Sequence, residues 1–265
     1  MRMKGIILAG GLGTRLSPLT LTNSKQLLPV FNKPLIYYPL STLMLSGIQD
    51  ICVIATPEYI DSYSKLLGDG SELGIRIVFQ EQVSPNGIAE SLIIAEKFLS
   101  GSKCALILGD NIFHGSGLGR KLSQFQEVLG AKVFGYKVRN PEAYGVANLG
   151  SNGEILGLEE KPKNFFSNIA IPGLYYFDEK APSLAHKIKK SDRGELEIIS
   201  LLKEYLLIQQ LSLEMLPRGT AWFDSGTFTD LHDAASYVRL MEERTGEPVG
   251  DPKEIARNLG WIKNY

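Results

Sequence analysis

An unbroken apolar run, Gly5-Ile6-Ile7-Leu8-Ala9, feeds directly into the glycine-rich loop Gly10-Gly11-Leu12-Gly13-Thr14-Arg15. A strand with no polar alternation must be covered on both faces, which calls for a parallel sheet between helices. Strand-length runs at 50–55, 76–80 and 104–108 repeat the pattern. They alternate with tracts of helical period at 39–46, after Gly87, and at 118–129. Pro39 is tolerated because it falls in a first turn. The alternation predicts an α/β fold whose mainly parallel sheet is mixed and has helices on both faces.

From Ala131 the texture changes. Residues 132–138 alternate, 144–149 and 154–159 flank an Asn152-Gly153 turn, and 173–177 form another strand, so this stretch reads as antiparallel. Helices follow at 182–189, 195–210 and 229–243, with a strand at 211–216; residues 247–265 show no clear pattern. No repeat or linker interrupts the 265 residues, which read as one mixed domain in three parts, about 1–130, 131–228 and 229–265.

Composition narrows the functions open to the chain. Hydrophobic residues are 44% and charged residues 22%, which excludes disordered, collagenous and coiled-coil classes. Twenty-eight Lys plus Arg against 29 Asp plus Glu leave a net charge of −1, so bulk attraction to nucleic acid or membrane is excluded. An anionic ligand must therefore be held by a local site. Cys52 and Cys104 stand inside apolar runs and read as buried thiols in a reducing compartment. No stretch reaches the roughly 18 apolar residues of a membrane span, and residues 1–8 are too short for a signal peptide, so a cytoplasmic location is expected.

The loop after the first run offers glycine amides and the Arg15 fork to phosphate groups. A dinucleotide fingerprint would need a glycine where Leu16 stands and an acid about 20 residues on, and both are missing. No Gly-Lys-Ser/Thr ending makes it a P-loop. Ten residues downstream comes Lys25-Gln26-Leu27-Leu28-Pro29-Val30, followed by Lys33-Pro34-Leu35-Ile36-Tyr37-Tyr38-Pro39-Leu40-Ser41-Thr42-Leu43-Met44.

In these ordered motifs the chain resembles the sugar-phosphate nucleotidyltransferases, and the likeness runs to at least Gly226. It is strongest to members that join dTTP to glucose 1-phosphate. The resemblance implies a Rossmann-like nucleotide-diphospho-sugar transferase fold with a small antiparallel sugar-binding subregion, Mg2+ as cofactor, and a homotetramer. It assigns catalysis to Arg15, Lys25 and Lys161. Nucleotide binding falls to Leu8, Gly10, Gly11, Gly13, Thr14, Gln26, Gln82, Gly87 and Asp110. Lys25 would act on the α-phosphate and Arg15 on the β and γ groups.

Joining two anions is opposed by charge repulsion, so carboxylates at strand ends are sought for a divalent ion. Asp110 follows the run 105–109, and Asp224 lies in Trp222-Phe223-Asp224-Ser225-Gly226. Either could equally be a turn residue; the resemblance makes both of them Mg2+ ligands. It likewise gives the sugar phosphate to Gly145, Glu160, Lys161, Ile171, Tyr175 and Arg193. In Glu159-Glu160-Lys161-Pro162 a carboxylate suits sugar hydroxyls and the adjacent ammonium suits a phosphate.

The match is looser at Gln82-Val83-Ser84-Pro85-Asn86-Gly87-Ile88-Ala89-Glu90-Ser91, where the family motif is Gln-Pro-x-Pro-Asp-Gly-Leu-Ala-Gln-Ala. Gln82 and Gly87, expected to bond the pyrimidine, are kept. Ile199-Ser200 stands where the family has Thr-Asp, and His114 reads as a polar loop residue. The chain is shorter than long members, which leaves Arg218 as the remnant of an inhibitor site that some of them carry. Mg2+-dependent transfer from dTTP to glucose 1-phosphate is expected. UTP, another sugar 1-phosphate, or a catalytically silent nucleotide-sugar sensor are the alternatives.

Overall fold

The computed structural model describes residues 2–263. Strand β1 (Lys4–Ala9) lies inside a ten-stranded sheet, where Ile7 and Ala9 enter one apolar cluster and Ile6 and Leu8 the opposite one. Period-two geometry thus buries both faces of the run. A small hairpin, β2 (Pro29–Val30) and β3 (Lys33–Pro34), precedes α1 (Tyr37–Leu45). Then come β4 (Asp50–Ala55), α2 (Ile60–Leu67), β5 (Arg76–Glu81), α3 (Glu90–Ile94), α4 (Glu96–Leu99) and β6 (Cys104–Leu108).

β1 pairs in parallel with β4 on one side and β6 on the other, and β4 carries β5. The chain therefore winds outward through β4 to β5 and returns to place β6 across β1. Such a reversal opens a crevice at the C-terminal ends of the two central strands. Loops 10–15 and 109–111 both emerge there.

The antiparallel part is built from β7 (Ile112–His114), α5 (Leu118–Leu122), β8 (Ala131–Lys137), β9 (Gly145–Leu149), β10 (Ile155–Glu160), β11 (Ile169–Ala170) and β12 (Leu174–Phe177). α6 (Ala181–Ala185), α7 (Ile198–Leu207), β13 (Leu211–Met215), β14 (Ala221–Phe223), α8 (Phe228–Thr245) and α9 (Pro252–Asn258) complete the chain. β11 and β12 run antiparallel to β8, separated by Ile171-Pro172-Gly173. Proline has no N–H to continue a ladder, and at this break the sheet forks. β12 joins β6, while Ala170 turns to β9.

Helices cover both faces, as the alternation required. Leu40, Tyr63, Leu122 and Ile255 place α1, α2, α5 and α9 on one, and Leu92, Leu99, Ala185 and Tyr205 place α3, α4, α6 and α7 on the other. α8 packs Ala234 and Val238 on Val30, Leu35, Tyr38 and Ile112. Thr227 and Asp230 form a reciprocal capping box at its start, fixing the chain just after Asp224.

Several elements are shorter than the sequence reading. α5 gives way to a 3-10 turn, Ser123–Glu127, and α6 stops at Ala185. α7 begins at Ile198, because the Glu197 backbone is extended. The sequence pattern does not display the β2–β3 hairpin, α2, β7, β11 or β14. His114 lies on β7 and not in a loop, with Nδ1 2.7 Å from Tyr237 Oη. The unpatterned stretch at 247–265 contains α9, started by Asp251 and Pro252; residues 264–265, like Met1, lie outside the described residues. Cys52 and Cys104 are buried, and desolvation pushes each thiol up to about 12, so neither is a nucleophile.

Candidate active site

A cavity of about 170 Å³ opens over the fork in the sheet, and five charged residues from four separate segments meet on its walls. Arg15 comes from the glycine loop, Asp110 from the end of β6, Glu160 and Lys161 from the end of β10, and Asp224 from the turn before α8. Gly145, Ile171, Tyr175, Tyr144 and Trp222 supply its uncharged lining. A larger hollow of about 460 Å³, bounded by Tyr37, Asp69 and Asp251, lies where residues 65–73 lead into the start of β5, the opposite end from the crevice.

Lys25 is 6% exposed and its Nζ stands 2.6 Å from Asp110 Oδ2 and 3.4 Å from the Asp224 carbonyl oxygen. One ammonium thus ties two acidic loops together. Asn111 Nδ2 donates to the other Asp110 oxygen at 2.8 Å, while Asn111 Oδ1 accepts from Trp222 Nε1 at 2.7 Å and the Gly173 N–H at 3.1 Å. Asp224 has less support: its carboxylate accepts only the Gly226 N–H, at 3.2 Å, among the described residues. Burial first, then the charges of Asp110 and Asp230, raise its pKa above the ordinary carboxylate range. Arg15 lies over Gly226, its Nη2 only 2.9 Å from where a Cβ would stand.

Backbone conformation is unusual at the same place. Lys161 and Ser225 both hold φ near +45°, and Ser225 buries a hydroxyl with no partner among the described residues. Positive φ in a non-glycine residue persists only where the surroundings enforce it.

The under-compensated Asp224 carboxylate, beside Asp110 with its Lys25 and Asn111 partners, suits a hard divalent ion such as Mg2+, which takes one or two carboxylates and fills its remaining positions with water and phosphate oxygens. Among the described residues no cluster of three or more His, Cys, Asp or Glu could hold a metal, so a closed zinc-type site is not formed.

At the end of β10 Glu160 is raised above its ordinary value by burial, opposed by Lys161 and reinforced by Glu197. Arg193 does not line the cavity. Its Nη2 lies 2.9 Å from both Glu197 oxygens and 3.4 Å from Glu160. Glu197 is a partner that the Arg193-x-x-x-Glu197 spacing makes readable.

The remaining predicted residues surround the cavity without lining it. Gly10, Gly11, Gly13 and Thr14 form the loop after β1, with Leu8 at its root. Gln82 and Gly87 stand beyond β5. Gln26 is 3% exposed, and its amide oxygen accepts from Ser24 Oγ at 2.7 Å and Tyr63 Oη at 3.3 Å, so this face of it serves the core. Asn111, Trp222 and Glu197 are neighbours of the site that the sequence reading does not single out; the aromatic beside Asp224 and the four-residue step from Arg193 to Glu197 are the readable cues.

A parallel sheet with its crevice between β1 and β6, and opposed cations and carboxylates around that crevice, is the site of an enzyme handling phosphorylated substrates. The chain belongs to the family described as nucleotidyl transferase, whose model matches residues 4–239. It is similar to glucose-1-phosphate thymidylyltransferases from Mycobacterium tuberculosis, at 50% identity over 98% of this chain and 90% of the relative. The same enzyme from Neisseria meningitidis serogroup A is 48% identical, over 99% of this chain and 91% of the relative. Among solved structures it resembles a Bacillus anthracis protein assigned as a glucose-1-phosphate thymidylyltransferase and crystallised with sucrose. That match has a TM-score of 0.82 at 38% identity and covers 89% of this chain and 95% of the other. A UDP-glucose pyrophosphorylase holding UDP-glucose shares the fold, with a TM-score of 0.78 at 22% identity over 91% of this chain and all of the other.

Proposed function

We propose that this protein transfers a thymidylyl group from dTTP to α-D-glucose 1-phosphate, giving dTDP-glucose and pyrophosphate with Mg2+ as cofactor. The observation that carries the reading is the meeting of Arg15, Asp110, Glu160, Lys161 and Asp224 on one cavity, with Lys25 directly behind Asp110. Relatives of that name at about half identity along nearly the whole chain support it.

In this reading Glu160 accepts hydrogen bonds from sugar hydroxyls, and Lys161 and Arg193 hold the sugar phosphate with one oxygen aimed at the α-phosphorus. Lys25 steadies the α-phosphate and Arg15 the departing β and γ groups, with the glycine loop closing on the triphosphate. The α-phosphorus–oxygen bond to the new partner forms as the bond to pyrophosphate breaks. Mg2+ held by Asp110 and Asp224 would neutralise phosphate charge and fix the in-line geometry. The attacking phosphate oxygen is already ionised at neutral pH, so no general base is needed. His114, on β7 against Tyr237, is given no role.

Pyrophosphate release from a matrix of sugar 1-phosphates and nucleoside triphosphates tests this directly. Turnover highest with dTTP and glucose 1-phosphate is expected. Turnover confined to UTP or to another sugar, or binding without turnover, contradicts it. Inversion at the α-phosphorus is expected; retention would mean a covalent intermediate. A cytoplasmic homotetramer completes the proposal, and light scattering on the purified chain tests the assembly. No helix of the described residues is long and apolar enough to cross a membrane.

A further inference from the structure

We propose that Glu90 is a positioning residue for base selection: its carboxylate holds the Gln82 side chain so that the amide oxygen faces the nucleotide base. The inference rests on the reading above, in which Gln82 meets a pyrimidine.

A glutamine can present either end of its amide, because oxygen and nitrogen are nearly alike in shape. Glu90 removes that freedom. Gln82 Nε2 donates to Glu90 Oε2 at 2.8 Å and lies 3.4 Å from the Gly87 carbonyl oxygen. A carboxylate only accepts, so turning the amide would set two oxygens against each other.

The carboxylate is itself fixed. Its Oε1 accepts from Asn86 Nδ2 at 2.8 Å, and Asn86 Oδ1 accepts from Lys190 Nζ at 3.2 Å. Both main-chain groups of Leu196 strap the loop, its N–H to the Asn86 carbonyl at 2.6 Å and its carbonyl to the Ala89 N–H at 3.1 Å. Gly87, at φ +108°, admits this strap, since a Cβ there would collide with the Leu196 backbone. Relative to the family motif, acid and amide have changed places at 86 and 90, so the lock is written in this chain's own residues.

The freed end points the right way. Gln82 Oε1 sits against Gly10 of the phosphate loop, so close that a Cβ on Gly10 would strike it, and among the described residues no donor reaches it. An unengaged acceptor beside that loop selects a base edge carrying a hydrogen. Thymine and uracil offer N3–H; cytosine offers a lone pair at the same atom. Sites built to pair one hydrogen-bonding group reject its mismatch far more strongly than apolar pockets reject a methylene.

Equilibrium binding of dTTP, UTP and dCTP to the full chain with Mg2+, by titration calorimetry, separates this from the functional reading because it needs no turnover. The wild type is expected to bind dTTP and UTP at least tenfold more tightly than dCTP. Glu90→Gln, whose amide can donate as well as accept, is expected to cut that preference at least threefold, with UTP following dTTP. Glu90→Asp, which withdraws the carboxylate by one methylene, should shift the ratio the same way and carries the test if Glu90→Gln does not fold. An unchanged ratio, or equal weakening of all three nucleotides, overturns the inference, as does a wild type without preference. Failure of pyrophosphate release in the wild type overturns the functional reading alone.

Discussion

Among the described residues two buried lysines, Lys25 in the cleft and Lys33 away from it, each pair with a half-buried carboxylate, and their surroundings differ. Lys33 Nζ is 2.5 Å from Glu242 Oε1, and the same carboxylate accepts the Val249 N–H and Asn32 Nδ2, each at 2.8 Å. That network closes on itself and ties the β2–β3 hairpin to α8. In the cleft Lys25 must serve Asp110 and the Asp224 backbone together, leaving the Asp224 carboxylate with a single amide. A saturated carboxylate holds structure, whereas an under-compensated one at an open cleft is poised for a cation.

Substitution breaks the comparison most sharply in the cleft. Asp110→Asn or Asp224→Asn should lower metal-dependent pyrophosphate release by about 10²–10³-fold, the effect of deleting one electrostatic stabiliser. Asp224→Asn should also hold or raise the thermal midpoint, since it removes a charge that burial disfavours. Loss of stability with activity retained would place Asp224 in the structural class.

Glu242→Gln should do the reverse. Leaving Lys33 without its counter-charge should cost about 1–3 kcal/mol in denaturant unfolding, less than a fully enclosed pair, with kcat nearly kept. A collapse of kcat at undiminished stability would contradict the division.

Acid pH sharpens it further. Burial lifts Glu242, but Lys33, the Val249 N–H and Asn32 outweigh that and bring its pKa below the ordinary range. Its contribution to stability is present above the unfolded carboxylate value and is lost only as pH falls through the lowered folded value. Asp224 and Glu160 are raised, so in the window between unfolded and folded values protonation favours the fold while emptying the site of charge. Activity should therefore decline on the acid side at a higher pH than stability does. Coincident decline in parallel activity and circular dichroism titrations would refute this.

The smallest effect is expected at the rim. Arg193 is 42% exposed at its side chain while Glu197 is buried, and Glu197→Gln, which loosens the hold on the arginine, should raise KM for glucose 1-phosphate by only about two- to fivefold, the worth of a partly exposed ion pair. A change in kcat of similar size would move Glu197 inside the reacting site.

What the sequence made legible follows the same division. Runs such as 5–9 and 104–108 declared their strands because burial on both faces leaves no polar residue to confuse the period. α2 carries Ile60, Tyr63 and Leu67 at helical spacing but in only eight residues, too few for the sequence reading to set it apart, and α6 and α5 are too short for periodicity to mark their ends. Arg15, Asp110, Lys161 and Asp224 could be named from motif chemistry. Their meeting could not, since Lys25 and Asp110 are 85 residues apart, and Trp222 and Asn111 are 111 apart. The Tyr63 hydroxyl that meets the Gln26 amide oxygen is 37 positions on, another contact that no local motif displays.

The central claim is that Asp110 and Asp224 share one divalent ion facing the cationic arms. Crystals grown with Mn2+ and a non-reactive dTTP analogue, measured for anomalous scattering, address it most directly. The account predicts one strong peak about 2.0–2.3 Å from an oxygen of each aspartate and from phosphate oxygens. A peak bound to neither carboxylate, with nucleotide present in the cleft, would contradict it.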